Sequence, residues 1–302
     1  MTHFKPLRLR VPATTANLGA GYDLVGMALD IHNELVFTPA EDYAMHCKGP
    51  YGNINYTLHR KSLIWRGVEA VYNLMGKPFP RFSVEQTIHI PPARGLGSSS
   101  GAIVAGLYAA NLWLGKPLSK EELLPLAVEI EGHPDNVAPA LLGGCVLNFP
   151  GQNVSYTSLP VPENLYWGVC IPDFQLKTAD ARRVVPEHVP LGHAVQSMNY
   201  LSALVVGLNT GRPELIAQGL QDVLHQPYRR ELVPGMEAVM ATARESGALG
   251  CVLSGAGPTL LVVSEQPLTG VGQEMCARWK KYEIQAEFVT CLIDPDGVVC
   301  LD

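Results

Sequence analysis

The chain has 302 residues and a net charge of −6, with 47% of its residues hydrophobic and 17% charged. That length holds two domains of ordinary size, and the composition is that of a protein with a packed core. No block of Lys and Arg suggests nucleic acid or an anionic membrane as partner, and no apolar run of about 18 residues is present to span a bilayer.

Lys5, Arg8 and Arg10 are followed by no apolar run, so no secretory signal is expected. The seven cysteines are scattered and form no Cys-x-x-Cys pair, which fits reduced thiols in a cytoplasmic core. Leu7, Leu9 and Val11 alternate with Arg8 and Arg10, and a strand is expected up to Pro12. A glycine-bearing loop from Ala13 to Asp23 follows. In it Asn17 and Asp23 offer an amide and a carboxylate to the amine or hydroxyl of a small ligand, or make side-chain turns. Asn33 to Thr38 reads as a second strand, and Ser62 to Met75 as a helix stopped by Gly76-Lys77-Pro78.

The next stretch organises the reading. Phe82, Val84, Ile88 and Ile90 share one face of an expected strand, and Ala102 to Leu114 reads as a buried helix. Between them lies Pro91-Pro92-Ala93-Arg94-Gly95-Leu96-Gly97-Ser98-Ser99-Ser100-Gly101, a strand-to-helix turn. The first turn of a helix carries unpaired N–H groups and a partial positive charge. Glycines let a ligand approach that backbone and serines add hydroxyls, so the turn suits an anion, and a phosphate best. A Walker loop is excluded because both Gly-Lys pairs are followed by proline. A dinucleotide fingerprint is the weaker alternative, since Ser119-Lys120-Glu121-Glu122 opens a capped helix where an acidic strand end is wanted.

That helix, Ser119 to Ile130, runs into Glu129-Ile130-Glu131-Gly132-His133-Pro134-Asp135-Asn136, with three carboxylates, a histidine and an amide. Carboxylates beside a phosphate loop are natural Mg2+ ligands and a source of a general base. Past Asn148, Pro150-Gly151 and Pro160-Val161-Pro162 mark a domain boundary, giving domains of residues 1–155 and 156–302. Tyr166–Ile171, Leu249–Leu253, Thr259–Ser264 and Ala286–Ile293 read as strands. Thr178–Arg183, Ala194–Leu208, Pro213–Leu224, Glu237–Glu245 and Gln273–Lys281 read as helices, and His225 to Arg230 as a basic loop. Ser254-Gly255-Ala256-Gly257-Pro258 is a second glycine turn. Strands and helices that do not strictly alternate argue for an α+β fold.

Three separated stretches together resemble the signatures of the GHMP small-molecule kinases: Pro12 to Asp23, Pro91 to Gly101 and Ser254 to Thr259. Asn17-Leu18-Gly19-Ala20-Gly21-Tyr22-Asp23 and His133-Pro134-Asp135-Asn136 are similar to the homoserine kinase branch. The resemblance covers nearly the whole chain and departs from the common pattern at Ser100-Gly101, where many relatives carry alanines.

The resemblance implies an N-terminal ribosomal-S5-like domain that holds ATP, a ferredoxin-like C-terminal domain and a site between them. It implies that Pro91 to Gly101 wraps the ATP phosphates and that Ser98 and Glu129 hold Mg2+, with Glu131 the competing ligand. It implies L-homoserine as the substrate, bound by Asn17, Asp23, His133, Arg182 and Arg229 with Gly257 lining the site. Asp23 matches the ammonium and the arginines match the carboxylate. Asn136 and Arg182 are expected to polarise the reaction centre, with Asp135 structural. The implied role is phosphorylation of the side-chain hydroxyl on the route to threonine, by a cytoplasmic homodimer. Competing expectations are a GHMP kinase for a mevalonate-like or sugar substrate, a non-catalytic relative and a nicotinamide enzyme.

Overall fold

The computed structural model of the chain describes residues 4–151 and 154–302. Its strands are β1 (Leu7–Asn17), β2 (Gly21–Pro39), β3 (Ala44–Lys48), β4 (Ile54–Thr57), β5 (Phe82–Thr87), β6 (Cys145–Phe149), β7 (Ser155–Leu159), β8 (Tyr166–Pro172), β9 (Gly250–Leu253), β10 (Leu260–Ser264), β11 (Ala286–Cys291) and β12 (Val299–Cys300). Its helices are α1 (Leu63–Leu74), α2 (Ser98–Trp113), α3 (Lys120–Glu131), α4 (Pro134–Leu142), α5 (Thr178–Arg183), α6 (Leu191–Thr210), α7 (Pro213–Gly219), α8 (Gln226–Arg229), α9 (Met236–Glu245) and α10 (Thr269–Lys280). The first sheet runs β12-β1-β2-β5-β3-β4 with β6 and β7 joined through β2. The second runs β11-β8-β10-β9, all antiparallel. With α10 between β10 and β11, that order is the ferredoxin-like arrangement expected of the C-terminal half.

The β1–β2 hairpin joins the two halves. Leu9, Val11, Leu35 and Phe37 enter the core that the first sheet shares with α1 to α4. The register shifts between Pro12 and Ala13. Beyond the shift, Ala13, Leu18, Val25 and Met27 pack with Trp167, Val169, Leu261 and Val263 of the second sheet and with Leu204 and Leu220. Such a bulge adds twist and bend, and here it carries one hairpin from one core into the next. The opposite face of the second sheet packs α9 and α10 around Val239, Met275 and Trp279.

The hairpin corrects two expectations. Pro12 does not end the strand, and Ala13 to Asp23 is not a long loop: β1 continues to Asn17 and β2 begins at Gly21. The tip is tight because Asn17, Leu18 and Gly19 all take positive φ. The strand expected to reach Ile90 ends at Thr87, because Asn33 Oδ1 accepts the N–H groups of both His89 and Ile90 and pulls them off the ladder. Helix α2 begins at Ser98, so all three serines lie in its first turn. The capping box at Ser119 and Glu122 forms as read. The boundary at 155/156 falls inside β7, which pairs with β6 in the first sheet, and β12 brings the chain's end back to β1.

Helix α4 sits against β2 with almost no clearance. A Cβ at Gly26 would lie 1.6 Å from the Asp135 carbonyl oxygen, a backbone atom that cannot swing away. Overpacking a core costs about 1–3 kcal/mol and more when backbone must move. Gly26→Ala should therefore lower unfolding free energy by at least about 2 kcal/mol in denaturant titration. Gly270→Ala, where nothing lies within 4 Å, should stay within about 0.5 kcal/mol of wild type.

Candidate functional site

One cavity of about 600 Å³ lies where the hairpin tip, the glycine–serine turn, α4, α5, α8 and the Ser254–Gly257 turn converge. Its walls include Pro92 to Ser100, whereas Pro91 and Gly101 lie behind them. Met45, Cys47, Ile54, Leu63 and Ile64 make one end apolar, and Asn17, Asp23, Arg182 and Arg229 make another polar.

The turn is built for backbone approach. Gly95 and Gly97 take φ of +75° and +68°. A Cβ at Gly95 would meet the Ser254 carbonyl oxygen at 2.2 Å, and one at Gly97 would meet Thr14 Oγ1 at 1.8 Å. Gly97 is itself the N-cap of α2, and no side chain among the described residues caps the helix. The N–H groups of the first turn are therefore left to a ligand. Leu96, 1% exposed, anchors the turn in the core.

The acidic cluster sorts into two groups. Glu131 accepts from Ser99 Oγ at 2.9 Å and Ser100 Oγ at 2.8 Å and lines the cavity. Glu129 lies on the exposed side of α3, outside the cavity walls. Positions i and i+2 on a helix are about 200° apart, so only one of Glu129 and Glu131 can point inward. Ser98 lines the cavity as expected. Among the described residues no cluster of three or more His, Cys, Asp or Glu is poised to hold a metal ion. A hard cation here would take one carboxylate, a serine hydroxyl and oxygens of its ligand, a donor set that suits Mg2+.

His133, Asp135 and Asn136 open α4. His133 Nδ1 is hydrogen-bonded to Asp135 Oδ1, and Asn136 Nδ2 donates to the same oxygen at 3.4 Å. Thr14 Oγ1 donates to Asn136 Oδ1 at 2.7 Å. Burial opposes charging His133, but the hydrogen bond and negative charge of Asp135 outweigh it and raise the imidazole pKa above its usual 6.5.

At the polar end, Arg182 grips Asp23 through Nη1 at 3.0 Å and Nη2 at 2.7 Å. Burial disfavours the Arg182 cation, yet the Asp23 contacts prevail and raise its pKa. Asn17 Oδ1 accepts the Asp23 amide at 3.1 Å, while Asn17 Nδ2 donates to Gly255 O at 3.0 Å. Asn17 thus clasps the two turns together. Arg229 is buried and donates from Nε to Ala181 O and from Nη1 to Gly255 O. Both guanidinium groups lie over the Tyr22 ring, at 5.9 Å for Arg182 and 5.4 Å for Arg229.

Asn17, Asp23, His133, Asn136, Arg182 and Arg229 are therefore brought together, over sequence separations beyond 200 residues. Gly257 is not among the cavity walls. It is turned toward Leu253, and Gly255 and Ala256 take its place. Tyr22 and Gly255 were missed. An aromatic beside Asp23 was a legible signal for the first, but a backbone carbonyl leaves none.

Known proteins resemble this chain in sequence and in fold. The model of the GHMP kinases N terminal domain matches residues 62–144, and that of the GHMP kinases C terminal matches 204–281. A homoserine kinase of Gloeobacter violaceus is 42% identical over 297 residues, 96% of this chain and 97% of the relative. One of Carboxydothermus hydrogenoformans is 40% identical over 293 residues, 96% of this chain and 95% of the relative. The crystal structure of homoserine kinase from Cytophaga hutchinsonii superposes with a TM-score of 0.89 at 30% identity, covering 98% of each chain.

The His133–Asp135 pair gives a measurable titration. The His133 imidazole should titrate above 6.5 in NMR, and Asp135→Asn should lower that value. Because the folded pKa is raised, the pair's contribution to stability is complete below 6.5 and fades as pH rises through the raised value. An unchanged titration in Asp135→Asn would detach the two residues.

Proposed function

The chain belongs to the GHMP kinase family, and on that premise we propose that it is a homoserine kinase, transferring the γ-phosphoryl group of ATP to the side-chain hydroxyl of L-homoserine to give O-phospho-L-homoserine, on the route to threonine. The observation that carries this reading is one cavity with an anion-binding helix N-terminus at one end and the Asp23, Arg182 and Arg229 cluster at the other. Homoserine is a zwitterion, and that cluster offers both signs of charge.

Residues 92–100 are the ATP-phosphate cradle in this reading, and the apolar end formed by Met45, Ile54 and Leu63 takes the base. Mg2+, held by Ser98 and Glu131, would neutralise charge on the phosphates. Glu129 is withdrawn from that role by its exposure. At the other end the carboxylate of Asp23 has lone pairs left over after its two bonds to Arg182, so it can accept an ammonium without releasing the arginine. His133 and Asn136 face the space between, where the acceptor hydroxyl would lie. Phosphoryl transfer depends mostly on positioning and charge stabilisation. Asn136 and Arg182 are placed to polarise the reaction centre. Asp135, 3% exposed and already bonded to His133, keeps α4 in position.

The reading also supports a cytoplasmic site of action, because it needs ATP and all seven cysteines are free thiols. No helix among the described residues is long and apolar enough to cross a membrane. A homodimer is part of the proposal. Helix α6 has no Asp, Glu, Lys or Arg, and Leu191, Val195 and Met198 on it are 80%, 53% and 60% exposed. A neutral face meets its own copy without like-charge repulsion. A solution mass of twice 32.7 kDa is expected by light scattering, falling to 32.7 kDa in Met198→Glu.

A kinetic panel tests the site. A charge-assisted hydrogen bond contributes about 1.5–3 kcal/mol, so Asp23→Asn and Arg229→Leu should each lower kcat/KM for homoserine at least about tenfold. KM for ATP should hold in both. Glu131→Gln should depress kcat with ATP still bound, and Glu129→Gln should behave as wild type. Phosphorylation of 4-hydroxybutyrate as efficiently as homoserine would remove Asp23 as the ammonium partner.

A further inference from the structure

His225 is a fully buried histidine, and the reaction proposed above makes no use of it. It is absent from the cavity wall, while Arg229, one helical turn on, is part of it. Its two ring nitrogens have partners of opposite kind. Nε2 lies 3.0 Å from the Gly19 carbonyl oxygen, and Nδ1 lies 3.2 Å from Arg229 Nη1.

These partners decide the tautomer. A carbonyl oxygen only accepts, so Nε2 carries the proton. A guanidinium only donates, so Nδ1 is bare and accepts. An imidazolium would aim a second N–H at the Arg229 N–H. Burial disfavours that cation and pushes the pKa down to about 4; the Arg229 charge acts the same way, and Asp222 opposes it. Asp222 Oδ2 is 3.5 Å from Nε2, but the carboxylate is engaged by the backbone N–H groups of Leu224, His225 and Gln226. The Tyr22 ring stacks on the imidazole with centroids 5.0 Å apart. Asp23 is the remaining charge near the ring.

Arg229 Nε gives its proton to Ala181 O at 3.0 Å. Nη1 gives one to Gly255 O at 2.9 Å and one to His225 Nδ1 at 3.2 Å. Among the described residues Nη2 has no hydrogen-bond partner, and it is not sealed in the interior. Arg229 is thus held through Nε and Nη1, with a single nitrogen left for the cavity.

We propose that His225 is a positioning residue: a permanently neutral imidazole that, by accepting from Nη1, locks Arg229 so that Nη2 alone meets the acceptor's carboxylate. This rests on the reading of Arg229 as the carboxylate partner. It limits the contact to one prong through Nη2, rather than the two-pronged grip that the residue type suggests. It also spares binding the entropy of ordering a long side chain, which is the use of preorganisation.

The test joins kinetics to spectroscopy. His225→Leu removes the acceptor and should raise KM for homoserine about tenfold, with kcat and KM for ATP changed no more than about twofold. His225→Asn places an amide oxygen near the position of Nδ1 and should recover most of that loss. In the wild type, ¹⁵N spectra should show His225 as the neutral Nε2–H tautomer, not titrating between about pH 5 and 8. An Nδ1–H tautomer, or titration inside that range, would overturn the proposal even if His225→Leu failed to fold. So would a folded His225→Leu with unchanged KM for homoserine. A wild type that does not turn over homoserine would instead sink the functional reading itself, so the two failures are distinguishable.

Discussion

Three turns from distant parts of the chain meet backbone to backbone, and the site exists because they do. The glycine–serine turn and the Ser254–Gly257 turn touch at Gly95, where a Cβ would lie 2.2 Å from Ser254 O, and the hairpin bonds to both. Ser254, fully buried, donates from Oγ to Gly95 O at 2.6 Å, which leaves Thr15 to supply the proton of its 2.9 Å contact with the same oxygen. Gly255 N donates to Ala16 O, and Thr14 N to Leu96 O. Buried backbone groups must find partners. Here they find them in one another, which fixes the anion-binding end of the cavity relative to the polar end.

The polar end manages two adjacent guanidinium groups by different means. Arg182 is neutralised by Asp23. Arg229, deeper, has no carboxylate in hydrogen-bond contact among the described residues and is stabilised by carbonyl dipoles, the Tyr22 ring and a neutral imidazole. Burial and the charge of Arg182 pull its pKa down, although a guanidinium keeps its proton across the working range. An incompletely compensated cation in a partly dry cavity is an attractor for an anion. The fold thus holds a charge in readiness, at some cost to stability, and a carboxylate ligand would relieve it.

Much of the framework was legible locally. The buried character of Ala102 to Leu114 and the capping box at Ser119 depend on neighbours along the chain, and both appear as read. So do most strands of the second sheet. The elements that went unseen are short and depend on partners: β4 leans on β3 and β3 on β5, β6 on β2, and α4 begins with proline and contains another. The first loop was misjudged because a tip of positive-φ residues makes a strand continue where composition suggests a break.

Sequence by itself determined the chemical inventory: a phosphate-binding turn, a carboxylate cluster beside it and the charged residues suited to a zwitterion. It did so because turns, helix starts and motif spacings are properties of a few consecutive residues. Tertiary structure alone decided which carboxylate faces the serines, that Gly255 and not Gly257 lines the cavity, that Asp23 is already paired with Arg182, and that His225 faces Arg229. Those outcomes depend on the rotation of a helix about its axis and on contacts between segments more than 200 residues apart. Both are set by how two cores close around one hairpin, and no local pattern records them.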